Sequence, residues 1–341
     1  MAARIQANAH GELPATVTPT TVPVCAGARR AAAALLPVPK RLTATIGAAP
    51  LVHGLDVDLP LNAAGPTVAT VHDLSVFDTP WAFSAFRARG ERALLSLHIR
   101  RADALIAVSR FTAERIMERF GRTATVIHQA AGPHCHPASD ADVAETRTRF
   151  SLPDRFVLHI GTAEPRKNVP GLAEACRRVG VPLVLAGEVR IDLPGDVIAL
   201  GYVDRVVLAS LCRAATVVAY PSKYEGFGLP PIEALASGAA VVATSVGALP
   251  DVLGAFGYPL APPDDPKALV ELLGDAVSDE AVQESMRRIG SGAVGKLSWT
   301  ATAAETIAVY RDVGLGGLGY EDDRNVDRAS DGPGLLGRED T

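Results

Sequence analysis

Two glutamates eight positions apart, Glu225 and Glu233, bracket the segment PSKYEGFGLPPIEALASGAAVVATS at 221–245. Glu225 follows a β-branched run directly and therefore sits in a loop at a strand end. Gly226 and Gly228 leave the next backbone stretch bare, so its amide groups can approach a ligand closely. Pro230 and Pro231 suit a first helical turn and Gly238 suits its end, which puts Glu233 in the first turn of that helix. A loop carboxylate, open amides and a helix N-terminus together make a site for sugar hydroxyls and phosphate. The plainer reading has Glu233 complementing the helix dipole and Gly-Phe-Gly only turning the chain.

A second cluster agrees with the first. HIGTAEPRKN at 159–168 places Gly161 and Thr162 at a strand end and Arg166 and Lys167 just before a helix. Two cations there can neutralise a diphosphate, and the planar Arg fork adds geometric specificity; elsewhere an Arg-Lys pair is usually only solvated. In the first half, TVATVHDLS at 67–75 puts His72 and Asp73 at another strand end. His72 could donate to a substrate hydroxyl or cap the turn, and Asp73 reads as a turn residue. In AVSRFT (107–112), Ser109 reads as a helix cap.

Together these segments resemble the family-4 group of retaining glycosyltransferases, whose E-x7-E signature matches Glu225 and Glu233. The resemblance runs over roughly residues 48–313 and implies an α/β fold of the GT-B class, with two Rossmann-like domains facing across a cleft. By position it implies that Glu225 contacts the transferring sugar and Glu233 the nucleotide ribose. The amides of Gly226, Phe227, Gly228 and Leu229 would face sugar hydroxyls and phosphate. PRKN at 165–168 is similar to the family's G-x-x-x-P-R-K-N element, His72 to the histidine near the transferred sugar, and Ser109 to the Ser of its A-V-S-x-F-[ST] element. Thr162 stands where many members carry Arg, which leaves one phosphate contact weaker or absent. The implied activity moves a hexosyl group, mannosyl or glucosyl, from a nucleotide-diphosphate sugar to a glycan, lipid-linked or small-molecule acceptor. The catalytic set is Glu225, His72, Lys167 and Arg166, with no metal and no cofactor beyond the sugar donor. The alternative is a shortened GT-B protein that binds nucleotide sugar or a partner enzyme without turnover.

The elements that would position these residues are legible in the apolar pattern. In the second half short strands, FVLHIG (156–161), PLVLAG (182–187), VIALGY (197–202), TVVAYPS (216–222), AVVATS (240–245) and GYPLAP (257–262), alternate with helical stretches at 168–179, 204–213 and 230–237. Near-continuous apolar strands between helices predict a parallel sheet covered on both faces. The first half repeats the grammar with strands in PLVHG (50–54), TVATVHD (67–73), ALIAVS (104–109) and TATVIHQ (123–129), and helices near 84–100 and 110–119. The expected division is an acceptor-side domain at 1–138, lacking the first strand–Gly-loop–helix unit of the family, a nucleotide-sugar domain at 139–314, and a disordered tail at 315–341. A helix at 298–313 is expected to pack back on the first domain.

Composition narrows the classes. The 341 residues are 48% hydrophobic and 21% charged with net charge −5, which excludes a disordered chain and gives no basic field for nucleic acid. The four cysteines form no CxxC pair, and no apolar leader or span stands out, so a cytoplasmic protein is expected, with peripheral contact at the inner membrane face open. His134, Cys135 and His136 suggest a metal by type, but no distant partner is evident and a Pro stands before and after the trio, so they read as loop. The GLGGLG near the C-terminus has no strand before it and no helix after it, which excludes a dinucleotide fingerprint.

Overall fold

The computed structural model describes residues 51–56, 59, 63 and 65–315. The expected absence of a first strand–Gly-loop–helix unit and the expected disordered tail after Leu315 fall on residues outside this set.

Two parallel sheets organise the described chain. The first holds β1 (Val52–Gly54), β2 (Thr67–Val71), β3 (Ala104–Ala107) and β4 (Thr125–Val126) in the order β1-β2-β3-β4. The second holds β5 (Val157–Ile160), β6 (Leu183–Ala186), β7 (Ile198–Gly201), β8 (Val217–Tyr220) and β9 (Val241–Ala243) in the order β7-β6-β5-β8-β9. All pairings are parallel. β5, β6, β8 and β9 are almost wholly buried, as their mostly Val, Leu, Ile and Ala content, with His159 and Tyr220, requires for strands covered on both faces. In this sheet the chain winds outward from β5 through β6 to β7, then returns to the other side of β5 with β8 and β9. The loops after β5 and β8 therefore diverge, and the crevice between them is where α/β sheets bind ligands.

Two expectations change here. The segment 257–262 is no sixth strand; it forms one isolated bridge, Thr244 with Ala261. Pro259 and Pro262 lack the N–H groups a strand ladder needs, so pairing stops at Ala261 N to Ala243 O and Ser245 N to Ala261 O. The helix of the E-x7-E segment runs Leu229–Ala236, one residue earlier than expected, so Glu233 stands at its fifth position, in the second turn.

A large core packs around the second sheet, including Phe156, Leu172, Leu185, Leu211, Ile232 and Leu253. The first sheet has a core on one face, with Leu74, Ile99, Leu105 and Ile116. Its other face is closed by the C-terminal helix Trp299–Tyr310, whose Val309 joins Val68, Ile106 and Ile127. That helix returns from the second sheet to the first. Trp299 Nε1 donates to Ala131 O (3.0 Å) and Thr302 Oγ1 donates to His128 O (2.7 Å). Further along, the Tyr310 hydroxyl lies 2.6 Å from His53 Nδ1.

Candidate active site

Glu225, Arg166 and Lys167 meet at the divergence of the β5 and β8 loops. Gly161 ends β5 with φ +130°, and its amide donates to Ala186 O at 2.9 Å. The chain then passes through the turn Pro165–Lys167 to Asn168, whose left-handed backbone (φ 53°) starts the helix Val169–Val179. From the other side, the loop after β8 delivers Tyr224, Glu225 and Gly226. Lys223 N donates to Arg166 O (2.8 Å), which ties the two loops together along their backbones.

Glu225 is the centre of this junction. It is 8% exposed, Lys167 is 9% exposed, and Lys167 Nζ donates directly to Glu225 Oε1. Arg166 Nη1 donates to Glu225 Oε2 and to the Tyr224 carbonyl, both at 3.2 Å, while its Nε holds Glu164 at 2.8 Å. Burial pushes the Glu225 carboxyl up, but Lys167 and Arg166 more than offset it, so the group stays below the usual carboxylate range. Burial likewise lowers Arg166, and Glu225, Glu164 and Asp73 reverse that, leaving it more firmly protonated than an isolated Arg. Glu225 and Arg166 are thus ionised together. The pairing uses one of three Lys167 N–H donors and part of the Arg166 fork, so donors remain for an incoming phosphate.

The same loop is pressed against the first sheet. Ser109, 0% exposed, caps the helix Arg110–Phe120 by accepting from Thr112 N, and its hydroxyl donates to Gly226 O at 2.6 Å. The Tyr224 hydroxyl accepts from Leu74 N and donates to Asp78, which also holds Arg115 at 2.7 Å. Phe227 stacks at a tilt on His128 with ring centres 5.9 Å apart. Gly226 lies so close to the His72 backbone that a Cβ there would come within 1.7 Å of His72 O. Only glycine permits this approach, so Gly226 serves contact between the sheets as well as openness to a ligand.

His72 itself is half-buried just after β2. Its Nε2 lies 2.7 Å from Leu55 O, so that nitrogen carries the proton, and Nδ1 faces Gln129 Nε2 at 3.5 Å. The imidazole N–H therefore already donates to backbone; a substrate hydroxyl would have to displace Leu55 O. Asp73 behaves as a turn residue, with its Oδ1 accepting from Ser75 N (2.8 Å) and Ser75 Oγ (2.5 Å).

Glu233 is not in the Glu225 cluster. It lines a pocket of about 230 Å³ with Ile160, Tyr202, Val203, Arg205 and Tyr220, which takes in the ends of β5 and β8 and the helix Leu229–Ala236. Phe227 and Leu229 are 3% and 5% exposed and serve the core, while Gly228 (φ +91°) starts the helix against Leu249. Thr162 stays partly exposed at the head of the β5 loop. Another recess of similar volume, lined by Ala173, Arg177 and Asp196, contains none of these residues.

Several participants escaped sequence reasoning. Tyr224 and Asp78 belong to no motif singled out above, yet they fasten the loop that carries Glu225. Gly247 (φ +61°) leaves room for that loop, since a Cβ there would meet Glu225 O at 2.9 Å. The turn glycine in TSVGA was a visible signal for it. By sequence His134 and Cys135 read as loop with no distant partner evident. The fold supplies one: Glu233, whose carboxylate lies within 4.8 Å of both ligand atoms.

The model of the group 1 glycosyl transferases matches residues 142–293, and that of glycosyltransferase family 4 matches residues 18–130. The chain is similar to the O-antigen chain mannosyltransferase B of Escherichia coli, at 31% identity over 283 residues, covering 76% of this chain and 74% of that one. It belongs to the family-4 group of glycosyltransferases. The family match begins at residue 18, ahead of residue 48 where the resemblance was expected to start. A second glycosyltransferase of Escherichia coli, the serotype-specific mannosyltransferase WbdA, is 27% identical over 231 residues, and there the match spans 60% of this chain but only 28% of the relative. The GT-B fold is shared with the HepE protein of Anabaena, solved in complex with UDP and glucose, at a TM-score of 0.66 and 20% identity, covering 80% of each chain.

Proposed function

We propose that this glycosyltransferase moves a hexosyl group, mannosyl foremost, from a nucleoside-diphosphate sugar to a glycan or lipid-linked acceptor, with retention of anomeric configuration and without a metal cofactor. The observation that carries the reading is the hydrogen-bonded Glu225–Arg166–Lys167 cluster at the divergence of two parallel-sheet loops, pressed against the first sheet through Gly226. The mannosyltransferase names of the two Escherichia coli relatives support the sugar. The UDP in the Anabaena structure supports the donor class.

In this reading the nucleoside occupies the pocket beside Tyr202 and Val203, with its ribose on Glu233. The diphosphate lies across the helix Leu229–Ala236 start, and Arg166 and Lys167 turn spare donors toward it. Their positive charge, fixed before the substrate arrives, favours charge growing on the departing diphosphate. The bond from the anomeric carbon to the phosphate oxygen breaks as the acceptor oxygen bonds to the same carbon from the same face. The acceptor hydroxyl proton passes to the departing phosphate oxygen. Glu225, held rigidly by two cations, orients the sugar hydroxyls, and protein cations supply the charge that a metal would otherwise provide. No helix among the described residues is long and apolar enough to cross a membrane, and we place the enzyme in the cytoplasm, touching the membrane peripherally where the acceptor is lipid-linked.

The test is a thermal-shift screen of the full chain against UDP, GDP, ADP and dTDP sugars. Transfer assays with the sugar that binds follow, with the anomeric configuration of the product read by NMR. Stabilisation by one nucleoside diphosphate, transfer with retention, and activity unchanged by a chelator are expected. No shift with any nucleotide would overturn the reading.

A further inference from the structure

We propose that His134, Cys135 and Glu233 form a site for a divalent cation of the zinc class, set inside the nucleoside pocket, so that the metal and the donor nucleotide exclude each other. The exclusion rests on the transferase reading above; the site itself does not.

Three observations converge. The imidazole nitrogen, thiol sulfur and carboxylate oxygen of these residues lie within 4.8 Å of one another, a spacing that one ion at bond distances of about 2.0–2.3 Å can close with small side-chain adjustments. All three line the same pocket, which leaves room for water at a fourth position. The Tyr220 hydroxyl, on a residue 2% exposed, lines that pocket too and has no hydrogen-bond partner, so a polar occupant such as a metal-bound water would satisfy it. The donor set of one nitrogen, one sulfur and one oxygen suits borderline-soft zinc rather than magnesium or calcium, which take oxygen alone.

The backbone holds the ligands in place beforehand. Cys135 N donates to Gly132 O (2.8 Å), closing a tight turn whose second residue, Pro133, has its φ set by the ring. Upstream, Ala131 O is held by the Trp299 indole, and downstream Pro137 packs at 3.3 Å from where a Gly238 Cβ would lie. Glu233 stands on the rigid helix that carries the E-x7-E segment. An ion here would clamp the segment joining the two sheets to the second sheet, and it would take the carboxylate that the ribose needs. Binding converts the Cys135 thiol to a thiolate and releases its proton to solvent, so affinity rises with pH.

The experiment uses the full chain, freed of metal by a chelator, and titrates it with cobalt(II), then with zinc(II) against a chromophoric chelator. A thiolate-to-cobalt charge-transfer band with one-to-one stoichiometry is expected. Cys135→Ser should abolish the band, and His134→Ala should weaken zinc by more than the ~10–100-fold typical of losing an outer-shell partner. Cys212→Ala should keep the band. Adding the nucleoside diphosphate found in the thermal-shift screen should bleach it, and zinc should inhibit transfer competitively with donor in the parent protein but not in Cys135→Ser, each compared with its own metal-free rate. No band in the parent, or a band that survives Cys135→Ser, overturns the site. A Cys135-dependent band that saturating nucleotide leaves intact overturns the exclusion. A protein that binds cobalt through Cys135 but binds no nucleotide at all supports the site and refutes the transferase reading instead.

Discussion

Gly226→Ala isolates the contact between the two sheets. A Cβ at this position would lie 1.7 Å from His72 O and 2.8 Å from Asp73 Cβ. Ordinary contact begins near 3.4 Å, so the loop and the His72 backbone must part by about 1.7 Å. Neither can yield locally: His72 follows β2, where Val71 is 0% exposed, and Gly226 O is held by Ser109 Oγ at 2.6 Å. The displacement therefore falls on Glu225 or on the spacing of the sheets. A misplacement of ~1 Å at a reacting centre can lower a rate ~100-fold, or about 2.7 kcal/mol in the transition state. We expect kcat/KM for sugar transfer to fall at least that far, with binding of the nucleoside moiety retained because neither Gly226 nor His72 lines the pocket that holds Glu233. The melting temperature should drop only slightly, since neither core loses a side chain. Steady-state transfer kinetics, nucleotide titration and thermal melts on the one variant test all three statements. Activity within threefold of the parent would refute the argument that this approach positions Glu225.

Other outcomes follow from the same geometry. Lys167→Met removes one of two cations from the buried Glu225 carboxylate; breaking such a pair costs about 3–5 kcal/mol, and Arg166 holds the loss to the lower end, which chemical denaturation can measure. The same variant should lower kcat roughly 100-fold or more, as loss of one preorganised donor does. Tyr258→Phe removes a hydroxyl that donates to Val241 O (2.6 Å) and accepts from Val241 N (3.2 Å), and should cost about 1–3 kcal/mol of stability while leaving kcat/KM unchanged. Burial lowers His53 and His159 from 6.5 to about 4, with His72 adding to the effect on the first and Lys167 on the second. Between those values the unfolded chain binds more protons than the folded one, so stability should fall as pH drops from 6.5 toward 4, by up to about 3 kcal/mol per histidine. Thermal melts across that range check the sign, and His159→Gln should flatten its share of the slope.

Much of the molecule was legible because local rules and tertiary needs agree. The apolar runs at 157–160, 183–186, 217–220 and 241–243 became buried parallel strands because β-branched and small residues fill both faces of a covered sheet. Ser109 became a helix cap because its hydroxyl can accept from Thr112 N. Where two signals compete, reading by pattern fails. The run at 257–262 is apolar enough for a strand, but its prolines cannot donate to a ladder. Pro230 and Pro231 suggest a helix start at 230, whereas Gly228 turns the chain into the helix at Leu229, one residue earlier, which moves Glu233 from the first turn to the second.

The sequence by itself determined the fold class and the identity of the chemistry-bearing residues, because strand patterning, turn glycines and the E-x7-E spacing act over a few residues at a time. It also placed Glu225 in a loop after a strand and Arg166 and Lys167 just before a helix. Tertiary structure decided how those residues are used. Arg166 and Lys167 reach Glu225 across nearly sixty residues of chain because β5 and β8 are neighbours in the sheet. Gly226 meets His72 because the loop after β8 abuts the end of β2, and Glu233 meets His134 and Cys135 because the segment joining the sheets folds over the helix Leu229–Ala236. Such contacts depend on strand order and on how helices lie across it, and no spacing within the chain records either.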